Sequence, residues 1–134
     1  MNNRHSGAIR ILLVDDEPTI RLLASSILGK SYNILTAANG QEALDVVDQN
    51  RPDLILMDIM MPKMDGYSAC ASLKRDPEMA DIPVVMVTGV GHELNKVLAE
   101  QMGADGYITK PFTSEELKDT VKKHLSAAKA GPKK

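Results

Sequence analysis

Short apolar runs alternate with amphipathic segments along the chain. Ile9 to Val14, interrupted by Arg10, has the length and composition of a strand. Asn33 to Ala37 is a weaker run, and Asp53 to Met57 (DLILM) is nearly all apolar. Pro83 to Val87 (PVVMV) is rich in β-branched residues, and Tyr107-Ile108 marks a short fifth strand. Strands this apolar belong in a sheet buried on both faces. Between them the apolar spacing is helical. Pro18, a favourable first-turn residue, opens a helix carrying Ile20, Leu23, Ala24, Ile27 and Leu28 inward, and Gly29 stops it. Asn39 caps a second helix, with Glu42 three residues later as in a capping box and Ala43, Leu44 and Val47 inward. A third spans Tyr67 to Arg75 and ends at Asp76-Pro77. The fourth carries Leu94, Val97, Leu98 and Met102 and ends at Gly103. The fifth opens on Thr113-Ser114-Glu115-Glu116, another capping box, and turns Leu117, Val121 and Leu125 to one face.

Strand then helix, five times over, predicts an α/β domain with a parallel sheet and right-handed crossovers. Ligands of such sheets bind beyond the carboxyl ends of the strands. Those positions hold Asp15-Asp16-Glu17, Asp58, Thr88-Gly89 and Lys110-Pro111. Two carboxylates about 4 Å apart repel by roughly 4 kcal/mol at an effective dielectric of 20. Asp15, Asp16 and Asp58 together therefore call for a proton or a cation. Hard oxygen donors with no histidine beside them favour magnesium, manganese or calcium over zinc. Magnesium keeps room for phosphate oxygens, and a carboxylate can act as a nucleophile toward phosphorus. Lys110 adds a cation and Thr88 a hydroxyl donor for the charge that builds on the equatorial oxygens.

The totals fit this picture. At 134 residues the chain is one ordinary domain, 43% apolar and 25% charged. Its net charge of −2 gives no global argument for nucleic acid or an anionic membrane. A single cysteine, Cys70, excludes an intrachain disulfide and reads as a small core residue. No apolar stretch reaches the roughly 20 residues of a membrane helix, and the N-terminal MNNRHSGAIR is not a secretory signal. The folded domain is expected over 9–126, with an N-terminal tail at 1–8 and a flexible tail at 127–134.

Asp15-Asp16, Asp58 in DLILMDIMMPKMDG, Thr88-Gly89 after PVVMV, and GYITKPF around Lys110 resemble the response regulator receiver domains of two-component signalling. The resemblance covers about residues 9–126. It implies a flavodoxin-like, doubly wound (βα)5 fold with strand order 2-1-3-4-5. Asp58 would be the phosphoacceptor. Magnesium, with manganese as an alternative, would be held by Asp16 and Asp58, by the backbone carbonyl of Met60, and by Asp15 largely through water. Thr88 would bond a phosphoryl oxygen. Lys110 would pair with Asp58 before phosphorylation and with the phosphoryl group afterwards. Tyr107 would be an aromatic switch that turns inward when Thr88 moves, and the Lys110-Pro111 peptide would be cis. The donor would be a histidine kinase or histidine phosphotransfer protein in the cytoplasm. The output would pass to an effector protein through the face formed by the fourth helix, fifth strand and fifth helix, with phosphorylation-dependent dimerisation as a further option. Nine residues follow Leu125, too few for an output domain, so a protein–protein contact is expected unless this chain is a piece of a longer protein. Catalysis would be limited to the domain's own phosphorylation and dephosphorylation.

Met60, two residues past Asp58, and Val90, two past Thr88, are apolar where some relatives orient an attacking water. Slow self-dephosphorylation follows. Gly89-Val90-Gly91 is conformationally permissive, so mobility is expected there. Blander readings stand beside these. Asp15-Asp16 alone is a solvated helix-capping loop, Thr88 a strand end, Lys110 a surface lysine and Tyr107 a packing residue. Met60 to Gly66 reads as a turn into the third helix. His5, His92 and His124 lack metal spacing and read as solvated. Lys122-Lys123, Lys129 and Lys133-Lys134 read as a solvated helix face and tail. Three rival functions remain open: an aspartate-nucleophile phosphatase, a phosphorylation-independent binding module and a flavin carrier. The first lacks a second acid two residues after Asp58. The second does not need the full acid, threonine and lysine set. The third lacks a phosphate-cradling loop after the first strand.

Overall fold

A computed structural model describes residues 8–61, 63–89 and 96–129. Five strands alternate with five helices: β1 (Arg10–Val14), α1 (Pro18–Leu28), β2 (Asn33–Ala37), α2 (Gly40–Gln49), β3 (Leu54–Asp58), α3 (Gly66–Arg75), β4 (Val84–Gly89), α4 (Lys96–Gln101), β5 (Gly106–Lys110) and α5 (Ser114–Lys129). All neighbouring strands are parallel, in the order β2-β1-β3-β4-β5. This is the flavodoxin-like arrangement that the family resemblance implied.

Strand residues alternate between two cores, as the two-residue period of a strand requires. Leu12, Val14, Ile55, Met57, Val84 and Met86 pack with Ala43, Val47, Ala69, Cys70 and Leu73 from α2 and α3. Ile11, Leu13, Leu54, Leu56, Val85 and Val87 face the other way, toward Ala24, Leu28, Leu117, Val121 and Leu125 from α1 and α5. Burial on both faces explains why these strands read as continuous apolar runs. Each fully buried Leu or Ile contributes about 1.5–3 kcal/mol of transfer free energy.

The local signals act as their chemistry suggests. Thr113 Oγ1 accepts from Glu116 N and Glu116 Oε1 accepts from Thr113 N, a reciprocal capping box. Asn39 Oδ1 accepts from Glu42 N, while Glu42 reaches one residue further back, to Ala38 N. Asp65 caps α3 by accepting from Ser68 N, a signal the apolar spacing did not reveal. Gly29 ends α1 in right-handed geometry; glycine is needed because a Cβ would sit 2.6 Å from the Ser25 carbonyl oxygen. Lys74 crosslinks loops, donating to the carbonyls of Ala80 and Ile82 at 2.9 and 2.7 Å and pairing with Asp105 at 3.0 Å.

Four expectations need correction. Leu23, placed inward by spacing, is exposed, because α1 turns Ala24 and Leu28 to the sheet. Val97 is exposed, whereas Ala99 of α4 is buried. Residues 127–129 continue α5 where a tail was expected, in keeping with the helix propensity of Ala127, Ala128 and Lys129. Asp58, Thr88 and Lys110 lie within their strands rather than after them, because ladder pairing extends to these residues. Val90, Gly91, His92, Leu94 and His5, with the expectations attached to them, fall outside the described residues. Among the described residues no helix is long and apolar enough to cross a membrane.

Candidate phosphoacceptor and metal site

The carboxyl ends of β1 and β3 lie side by side, with Val14 paired to Met57. Asp15 and Asp58 follow directly and are therefore neighbours. Asp15 N donates to the Ala37 carbonyl at 3.1 Å, which carries the sheet pairing one residue past β1. Its carboxylate accepts from Glu17 N at 2.9 Å, closing a local turn that leads into α1. Arg21, one turn into α1, donates from Nη1 to the Asp15 carbonyl oxygen at 2.6 Å. Asp58 is only 4% exposed, and its carboxylate accepts the Met60 N–H. Gly66 is required behind it. A Cβ there would overlap the Asp58 carbonyl and lie 2.9 Å from Ile59 Cα. Lys63, in the stretch between β3 and α3 where a turn was expected, has a positive φ of 70°.

One carboxylate oxygen each from Asp15, Asp16 and Asp58 lie within 4.8 Å of one another; Asp15 and Asp58 are buried and Asp16 is exposed. Lys110 closes the group from β5. Its Nζ stands 3.1 Å from Asp15 Oδ2, 3.5 Å from Glu17 Oε1 and 3.7 Å from Asp58 Oδ1. The distance to Asp58 is that of an ion pair, longer than a hydrogen bond. Asp15, rather than Asp58, is thus the nearer partner in this state. Thr88 is buried on β4, where Val87 pairs with Asp58 and Thr88 with Thr109. The Lys110-Pro111 peptide is cis. Tyr107 is 47% exposed, so it is not a core residue. It shares a face of β5 with Thr109, diagonal to Thr88, and lies outside the acid cluster.

One lysine serves three carboxylates, and the charge is unbalanced. Burial, then the negative charges of Asp15 and Asp16, push the Asp58 carboxyl up to about 6, against the pull of Lys110 and the Met60 N–H. Burial also raises Asp15, although the Glu17 N–H and Lys110 oppose it. Burial alone would lower Lys110, but Asp15, Asp58 and Glu17 outweigh it and hold the ammonium charged. This environment suits a divalent cation. Octahedral magnesium, with bonds of about 2.1 Å, spaces its oxygens roughly 3–4 Å apart. Small side-chain movements would bring the three carboxylates to that spacing. Manganese suits the same donors.

The structure brings together Asp15, Asp16, Asp58 and Lys110, with Thr88 on the adjoining strand. Sequence reasoning missed Glu17 as a partner of Lys110, Arg21 as the tether of Asp15 and the close approach of Gly66. Arg21 had one usable signal. With Pro18 opening the helix, a long side chain at position 21 leans back toward the helix N-terminus.

Comparison with known proteins agrees with this geometry. The family described as response regulator receiver domain matches residues 11–122. The alkaline phosphatase synthesis transcriptional regulatory protein PhoP of Bacillus subtilis is 42% identical over 114 residues, 84% of this chain and 47% of PhoP. The chain spans about half the length of the curated relatives it matches. The signal receiver domain of a histidine kinase from Syntrophus aciditrophicus superimposes with a TM-score of 0.84 at 38% identity, covering 95% of this chain and 97% of that one. A CheY-like receiver domain protein from Methanospirillum hungatei gives a TM-score of 0.86 at 29% identity, covering 94% of this chain and all of the other. With the fold, the acid cluster and the family match in agreement, this chain belongs to the response regulator receiver domains of two-component signalling.

Proposed function

We propose that this domain accepts a phosphoryl group on Asp58 from a phosphohistidine of a kinase or phosphotransfer protein, in a magnesium-dependent reaction. The observation that carries the reading is the meeting of Asp15, Asp16, Asp58 and Lys110 in one pocket at the carboxyl edge of the sheet. Asp15, Asp16, Asp58 and the Met60 carbonyl would hold the cation. When bound, it neutralises carboxylate repulsion and offsets charge on the phosphoryl oxygens.

Asp58 acts as the nucleophile. A carboxylate oxygen forms the bond to phosphorus as the bond from phosphorus to the donor's imidazole nitrogen breaks, and that nitrogen keeps the electron pair. Lys110 then exchanges its carboxylate partners for phosphoryl oxygens, and the Thr88 hydroxyl donates to another. Movement of Thr88 leaves space beside Thr109, into which Tyr107 can turn. This would couple the site to the α4–β5–α5 face, where an effector protein or a second copy docks. The domain turns over no external substrate, makes no nucleic-acid contact of its own and works in the cytoplasm. The exposed, apolar Met60 gives no group to activate water, so phosphorylated Asp58 hydrolyses slowly. A phosphate-release time course complete within seconds would contradict that rate.

Beryllofluoride, a phosphoryl mimic, tests the site directly. With magnesium present, saturable binding is expected, together with a change in Tyr107 fluorescence or chemical shift. Binding that persists unchanged in Asp58→Asn would contradict the proposal.

A further inference from the structure

We infer that Met60 is a site of selective oxidation by hydroperoxides, and that its sulfoxide shortens the lifetime of the phosphoryl group on Asp58. The second half rests on the phosphoacceptor reading above.

Selectivity follows from burial. The chain has eight methionines. Met57 and Met86 are fully buried strand residues, and Met61, Met64, Met79 and Met102 pack against the core. Met60 is 60% exposed. Met1 lies outside the described residues. The single thiol, Cys70, is buried, and burial pushes it up to about 11, so it does not compete for oxidant as a thiolate. In the reaction the Met60 sulfur donates a lone pair to one peroxide oxygen and the O–O bond breaks. With hydrogen peroxide the other oxygen leaves as water after proton transfer. The thioether is oxidised to a sulfoxide and the peroxide is reduced.

The consequence follows from position. The Met60 N–H donates to the Asp58 carboxylate, so this residue is fixed next to the reacting group. As a thioether the side chain is apolar and a weak acceptor. As a sulfoxide it presents a strongly polar, hydrated oxygen beside the acyl phosphate. That oxygen can accept a hydrogen bond from a water and orient it toward phosphorus. The stored signal then lasts for less time when peroxide is present, and reduction of the sulfoxide restores it.

The test uses the full chain. Brief hydrogen peroxide treatment is followed by peptide mass mapping, then by acetyl phosphate loading with magnesium and measurement of phosphoryl decay. Met60 should oxidise ahead of Met61, Met64, Met79 and Met102. Decay should then quicken by about threefold or more, well below the roughly 100-fold of a well-placed general base. Met60→Leu should show one decay rate before and after treatment, and Met60→Gln should move in the same direction as the sulfoxide. Equal oxidation of the packed methionines, or an unmoved lifetime once Met60 is oxidised, overturns this inference alone. An untreated chain that takes no phosphoryl group overturns the functional reading and, with it, the second half of this inference.

Discussion

Asp58 carries the largest electrostatic cost in the site. Unfolded, its carboxyl ionises near 3.8; folded, it ionises near about 6. The folded chain therefore holds an extra proton between those values. The stability this group contributes is full below 3.8 and is lost as pH rises through about 6. Metal-free Asp58→Asn should consequently be more stable than wild type at pH 7, by about 2 kcal/mol, with the gap closing as pH falls toward 4. Denaturant titrations of both proteins across that range check it. Lys110 has a different task. Lys110→Ala should slow loading from acetyl phosphate by roughly 100-fold or more, because a fixed cation facing the equatorial oxygens is removed. Stopped-flow fluorescence or radiolabel uptake reads this, and magnesium titration of the same variant should still saturate. The placement of Asp15, Asp58 and Thr88 at one edge of the sheet was legible from the sequence because each directly follows an apolar run, and that of Lys110 because it closes the short fifth strand. Glu17 and Arg21 were not. Their roles depend on which way a side chain leans from the start of α1, and the order of residues does not state this.

The strands and the amphipathic helices were readable because burial on two faces leaves apolar runs and burial on one leaves a stripe. Boundaries were harder to place. Asp58 and Thr88 are polar, yet they sit in the ladder because β3 and β4 pair beyond their apolar residues. Leu23 and Val97 were misplaced because a stripe of apolar residues wider than the contact leaves its edge in solvent. The turn between β3 and α3 holds the site by contact rather than by charge. Its end, Gly66, donates from its backbone N–H to the Ile59 carbonyl at 3.0 Å and leaves no space for a methyl group against Asp58. Gly66→Ala should therefore destabilise the fold by about 1–3 kcal/mol, the usual cost of overpacking. It should also lower phosphoacceptor activity measured at a temperature where the variant is still folded. Thermal melts and phosphoryl uptake on the same sample check both effects.

At the scale of the molecule, the site exists because the sheet order places β1 beside β3, with β4 and β5 following on the same side. Residues as distant in sequence as Asp15 and Lys110 then meet within 3.1 Å. Two cores, one on each face, fix that edge against α2 and α3 on one side and α1 and α5 on the other. A cation that relieves carboxylate repulsion in the folded state, and finds no such cluster in the unfolded chain, must stabilise the fold. Magnesium at 100 times its dissociation constant should add about 2.7 kcal/mol. That gain should be much smaller in Asp58→Asn, as thermal melts with and without the metal would show. The most direct measurement is mass mapping of the phosphoryl group after incubation with acetyl phosphate and magnesium. The account predicts one phosphoryl group, on Asp58, lost in Asp58→Asn and absent when chelator replaces magnesium. An unmodified chain, or equal modification of Asp58→Asn, would contradict it.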